Sequence, residues 1–112
     1  MKTEYQYKVI SRLKKLREEK NYTQASLAKL LEISPGQLGN IESVKQEHKF
    51  TLAQILKICD LLEVNIEKVF IVDKKDNISI REVINAIVKY QENSEPVKCG
   101  KNVTVINNKI EK

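Results

Sequence analysis

The sequence predicts an all-α protein, and two observations lead there. Apolar residues recur at helical spacing along successive short segments. Three of those segments open on capping-box signatures, Ser34 with Gln37, Thr51 with Gln54 and Ser79 with Glu82. The expected architecture is a compact five-helix domain over residues 1–72, followed by an extension over residues 73–112 that is helical at 79–91 and irregular beyond.

The first helix is expected from Tyr5 to Lys20. Val9, Leu13 and Leu16, with Ile10 alongside, make its apolar face, and the basic residues fall mostly on the other side. Asn21-Tyr22 breaks it. Thr23 then caps a two-turn helix holding Ala25, Leu27, Ala28, Leu30 and Leu31. At the third helix, Ser34 is the N-cap, Pro35 takes the first helical position, where a missing N–H loses nothing, and Gln37 completes the box. Leu38 and Ile41 are its inward residues.

Ser43 to Phe50 is polar and reads as a loop. The fourth helix follows, with Leu52, Ile55, Leu56, Cys59 and Leu62 assigned to one buried face. Asn65 caps a last short turn burying Ile66, Val69 and Phe70. Asp73 to Asn77 is a charged linker, and the next helix carries a stripe of Ile80, Val83, Ile84, Ile87 and Val88 ending near Tyr90. After the break at Glu92–Pro96, Val103-Thr104-Val105-Ile106 has the only strand character in the tail.

Composition limits the function classes. The 112 residues are 41% hydrophobic, which supports a real core and excludes wholesale disorder. No apolar run approaches the ~18 residues of a spanning helix, and Met1 to Lys8 has no apolar stretch of the secretory kind. Cys59 and Cys99 are too few for a disulfide scaffold, so reduced thiols and a cytoplasmic location are expected. The net charge of +5 points only weakly to an acidic partner. Much of it lies in residues 1–20, where seven basic residues face three acids.

Catalysis finds no support. There is no Gly-rich phosphate loop, no carboxylate pair on a shared face, and no Ser or Cys with an evident base. No His/Cys cluster has zinc spacing, so neither metal nor cofactor is expected; Cys59 reads as a small core residue and His48 as surface.

The feature that carries function is the pair of helices at 24–31 and 35–42. Two short helices joined by a tight turn are the recipe for a helix-turn-helix. It needs a small residue where the helices touch and apolar residues around the turn, which Ala28, Ile33, Leu38 and Ile41 supply. The outer face of the second helix is then Gly36, Gln37, Gly39, Asn40 and Ser43, low enough in charge and bulk to approach the floor of a major groove. Asn and Gln are the side chains that pair bidentately with adenine. Lys45 and Lys49 lie just past this helix, where a duplex backbone would pass.

These residues resemble the phage lambda Cro and repressor-type, or Xre-like, helix-turn-helix family. The likeness runs from Val9 to Phe70, through LKKLREEKNYTQASLAKLLEIS, GQLGNIE and TLAQILKICDLLEVNIEKVF. It implies a lambda-repressor-like five-helix domain that binds double-stranded DNA. It also implies a phosphate contact for Gln24, an ion pair of Arg17 with Glu42, and base contacts from Pro35, Gly36, Gln37, Gly39 and Asn40. Glu32 departs from the family pattern, standing where a glycine is usual in the turn, which requires a left-handed backbone or a tighter alternative. The loop after Glu42 is longer than usual and lacks its common proline, and Pro35 and Gly36 stand where many relatives carry reading side chains.

The expected function is that of a sequence-specific transcriptional regulator. Gln24, Ser34, Lys45 and Lys49 would hold phosphates while Gln37 and Asn40 read bases. A homodimer formed through Ile80, Val83, Ile84, Ile87 and Val88 would read a palindrome. The alternatives are that this stripe packs on the core, or that it grips a small protein partner, as in an antitoxin that regulates its own operon.

Overall fold

A computed structural model describes residues 2–71 and 77–92. The described residues form six helices: α1 (Glu4–Glu19), α2 (Gln24–Leu31), α3 (Pro35–Glu42), α4 (Leu52–Leu62), α5 (Ile66–Phe70) and α6 (Ile80–Tyr90). The expected linker (all but Asn77), Cys99 and the expected strand at Val103–Ile106 lie outside the described residues.

Five of the six helix starts are closed by reciprocal side-chain caps. The three expected boxes form, and so do Thr3 with Gln6 and Thr23 with Ser26. Asn65 precedes α5 without a side-chain cap. The ends of α1, α2 and α4 share a different device. Asn21, Glu32 and Glu63 each adopt a left-handed backbone, with φ of 65°, 61° and 57°. The residue after each one sends its N–H back into the last turn, Tyr22 to Arg17, Ile33 to Ala28 and Val64 to Cys59. That 6→1 closure satisfies carbonyls the helix leaves open. Glu32 therefore takes the left-handed option its position demands.

The core gathers one stripe from each helix around Ile10, Leu13, Leu27, Leu38, Ile55, Ile58, Leu62 and Val69, all essentially excluded from solvent. One assignment changes in α4. The inward set is Ile55, Ile58, Cys59 and Leu62, spaced i, i+3, i+4 and i+7, with Leu52 half-buried, and Leu56 is exposed. Leu56 lies about 160° around the helix from Ile58, so the two cannot share a face. Ile66 is half-buried rather than buried.

The extension helix α6 rests on α1 and α5, and its anchor is Tyr90. The Tyr90 hydroxyl donates to the Phe50 carbonyl at 2.8 Å, and its ring meets Phe70 edge-on with centroids 5.9 Å apart. From α1, the buried Gln6 side chain donates to the carbonyls of Tyr90 at 2.6 Å and Glu92 at 2.7 Å. Nearby, the Tyr5 hydroxyl donates to the Phe70 carbonyl and Lys89 lies over the Tyr5 ring. Ala86 and Ile87 face the core, while Ile80, Ile84 and Val88 face outward. The apolar stripe is thus divided between core and solvent.

Candidate nucleic-acid interface

Helix α3 is held from its inner side. Leu38 is fully buried and Ile41 nearly so, and Ala28 of α2, also fully buried, gives the close approach between the two helices. A buried polar anchor joins α1 to the end of α3. Arg17 Nε donates to Glu42 Oε2 at 2.9 Å and Nη2 to Oε1 at 3.1 Å, while Nη1 reaches the Tyr22 carbonyl at 2.6 Å. The guanidinium and carboxylate are thus paired bidentately and nearly excluded from solvent.

Gln24 belongs to the same network. Its Nε2 donates to Glu42 Oε1 at 2.9 Å. One of the two amide hydrogens is held there, and the other remains for an acceptor outside the protein. Gln24, at the start of α2, thus leans across to the end of α3, and its Oε1 lies 3.6 Å from where a Cβ on Gly39 would stand.

The outer face of α3 consists of exposed Pro35, Gly36, Gln37 and Asn40, with half-buried Gly39 and Ser43. Both glycines are ordinary helical residues, since neither has positive φ. A Cβ on Gly36 would meet only Ser34 Oγ, at 3.8 Å. Neither backbone geometry nor packing demands glycine at these positions, and each weakens the helix by roughly 1 kcal/mol against alanine. What the two residues do provide is a bare strip of backbone beside Asn40.

Gln37 and Ser34 are engaged with each other. Gln37 Oε1 accepts the Ser34 N–H at 3.1 Å, and Ser34 Oγ accepts the Gln37 N–H at 3.0 Å. The cap leaves the Gln37 amide hydrogens outward. Asn40 is the exposed residue of this face whose side chain carries no internal role in helix capping.

Past the helix, Ser43 Oγ accepts the Lys45 N–H at 3.2 Å. Lys45 is exposed and Lys49 half-buried, both in the segment that follows α3. Val44, just before Lys45, is an exposed apolar residue. Arg12, one of the basic residues of α1, donates to the Lys68 carbonyl at 2.7 Å.

Two features of the site had no signal in the sequence. One is the Gln24–Glu42 contact. The other is Lys2, whose ammonium donates to the carbonyls of Ile41 at 2.5 Å and Ser43 at 2.7 Å. Both depend on residues brought together only by the fold.

Comparison with known proteins agrees with this geometry. A family described as Helix-turn-helix matches residues 13–69, just over half of the chain, taking in α2, α3 and α4 whole. No curated protein and no solved structure matches the chain.

Proposed function

The chain belongs to the Xre-like, lambda Cro-type helix-turn-helix family of DNA-binding regulators, and from that premise we propose that it is a sequence-specific regulator reading a palindromic operator as a homodimer. The observation that carries the reading is the build of α3. Its inner side is anchored by Leu38, Ile41 and the Arg17–Glu42 pair, while its outer side offers two unneeded glycines and Asn40. A helix so stripped lets its backbone approach a groove, and Asn40 presents the donor–acceptor pair that matches adenine N7 and N6.

Around that face, the free amide hydrogen of Gln24, the Ser34 hydroxyl, and Lys45 and Lys49 hold phosphates and set register. Gln37 reads or supports a neighbouring base with the amide hydrogens its cap leaves free. Pro35, Gly36, Gly39 and Ser43 contribute shape rather than donors. The work is done on duplex DNA in the cytoplasm, and catalysis, metal and cofactor have no part in it. Among the described residues no helix is long and apolar enough to cross a membrane.

The homodimer rests on α6. With Tyr90 and Ile87 turned to the core, Ile80, Ile84 and Val88 are presented at i, i+4 and i+8, at 79%, 53% and 48% exposure. Such a row is self-complementary about a twofold axis through Ile84, where Ile80 of one copy meets Val88 of the other. Val83 lies at the margin of the row. Paired copies then read half-sites about 34 Å apart.

Selection of bound sequences from random duplexes, with sedimentation of the free and bound protein, tests both parts. An enriched palindrome bound by two chains is expected, with affinity falling steeply as salt rises. No enriched sequence would overturn the regulator reading. A monomer that co-purifies with a stoichiometric small protein would replace the homodimer with the antitoxin-like alternative.

A further inference from the structure

We propose that Lys2 is a positioning residue for DNA reading, a latch that reaches from the start of α1 to close the end of α3 and aim the loop that follows. The inference rests on the DNA-reading role of α3 proposed above.

The helix ends show why such a latch is needed. Helices α1, α2 and α4 close with a left-handed residue and a returning N–H, at Asn21, Glu32 and Glu63. Helix α3 has no such closure. Its C-cap, Ser43, is extended, with φ −82° and ψ 133°, and the one returning backbone bond is Ser43 N–H to Asn40 at 3.3 Å. The last turn of α3 also holds no basic residue to answer its exposed carbonyls. Lys2 supplies what is missing, across 39 residues to Ile41 and 41 to Ser43. A cation on the final carbonyls of a helix suits both their open lone pairs and the negative end of its dipole.

The position of Lys2 is itself well fixed. It immediately precedes Thr3, whose side chain accepts the Gln6 N–H while Gln6 Oε1 accepts the Thr3 N–H at 2.9 Å. Gln6 is buried and tied to the carbonyls of Tyr90 and Glu92. The ammonium therefore projects from a point secured by α1 and the end of α6. Partial burial lowers its pKa from the ordinary lysine value. One acceptor is in the last turn of α3 and the other opens the loop carrying Lys45 and Lys49, so a single group sets the angle between them.

A phosphate-contacting lysine and a latch leave different traces, and Lys2→Met separates them. Applied to the full chain, this variant keeps the aliphatic stem and removes the charge and donors. Binding to the selected operator is expected to weaken roughly tenfold, while random duplex binding and the salt slope stay as in the unmodified protein. Lys2→Arg, which restores a cation with donors, is expected to recover most of that loss. Carbon-13 carbonyl shifts of Ile41 and Ser43 in the free protein should move in Lys2→Met, and thermal unfolding should confirm that the variant is folded.

Operator affinity unchanged in Lys2→Met would overturn the proposal. So would equal weakening on all sequences with a salt slope reduced by about one, the trace of a direct phosphate contact. If the unmodified protein selects no operator, the DNA-reading role fails and the latch's part in it falls too. The carbonyl shifts then still report whether the contact itself exists.

Discussion

Arg17 and Glu42 form a buried bidentate pair, 2.9 and 3.1 Å, between the last turn of α1 and the last residue of α3. Gln24 joins it from the start of α2, so the three helices of the DNA-binding unit meet at one carboxylate. Removing the carboxylate leaves a nearly buried guanidinium with only the exposed Glu18 carboxylate, 3.8 Å from Nη2, as counter-charge. Glu42→Ala is expected to lower stability by about 3–5 kcal/mol, and Arg17→Met/Glu42→Leu together by much less, because a buried charge is stranded only in the first. Urea unfolding of the two variants checks the difference.

The glycines of α3 separate fold from function. Both have room for a methyl group, the nearest atoms standing 3.8 Å from a Cβ at Gly36 and 3.6 Å at Gly39. Gly36→Ala and Gly39→Ala are each expected to raise stability by about 0.5–1 kcal/mol. If α3 lies close in the groove, both should weaken operator binding while doing so. Denaturant midpoints and operator titrations on the same samples measure the two effects.

The left-handed helix ends carry strain of known sign. Glu32 and Glu63 hold φ of 61° and 57°, where a side chain is disfavoured, and each places an anion at the negative end of a helix. Glu32→Gly and Glu63→Gly are expected to stabilise the fold by about 0.5–1 kcal/mol each and to add, since the sites share no partner. Asn21, at 65°, tolerates this region better, so Asn21→Gly should gain less. Thermal midpoints rank the three.

Stability should fall in alkali. Burial pushes the Cys59 thiol from 9.0 up to about 11 and the Tyr5 hydroxyl from 10.0 up to about 12, and raises Tyr90 further. Each folded-state value lies above the unfolded one, so the unfolded chain releases its protons first as pH rises. The contribution is complete below the unfolded values and declines from about pH 9, first through Cys59 and then through the tyrosines. Urea midpoints measured against pH should show the decline, and Cys59→Ala should delay its onset.

Much of this fold is legible in the sequence because its signals are local. A capping box needs residues three apart, so Ser34, Thr51 and Ser79 announce their helices without knowledge of the rest. Thr3 with Gln6 has the same spacing, yet Gln6 also serves carbonyls 84 and 86 residues away, which no local pattern encodes. Leu56 is exposed and Ile58 buried instead because a short helix rich in apolar residues has more than one face suited to burial. The α6 stripe reads as one surface in sequence. Its division follows from Tyr90 reaching Phe50, a tertiary contact that sets the rotation of the helix. At the site, Asn40 and the glycines stand out by their neighbours' chemistry, whereas Lys2 and the Gln24–Glu42 bond depend on the assembled fold.

The central claim is that the outer face of α3 reads base identity through Asn40, and the ratio of operator to random-duplex affinity for Asn40→Ala tests it most directly. Asn40 is exposed, so the variant should fold as the unmodified protein does. Operator binding is expected to weaken by about 1–3 kcal/mol while random-duplex binding is unchanged, collapsing the ratio. An Asn40→Ala variant that keeps the full ratio would contradict it.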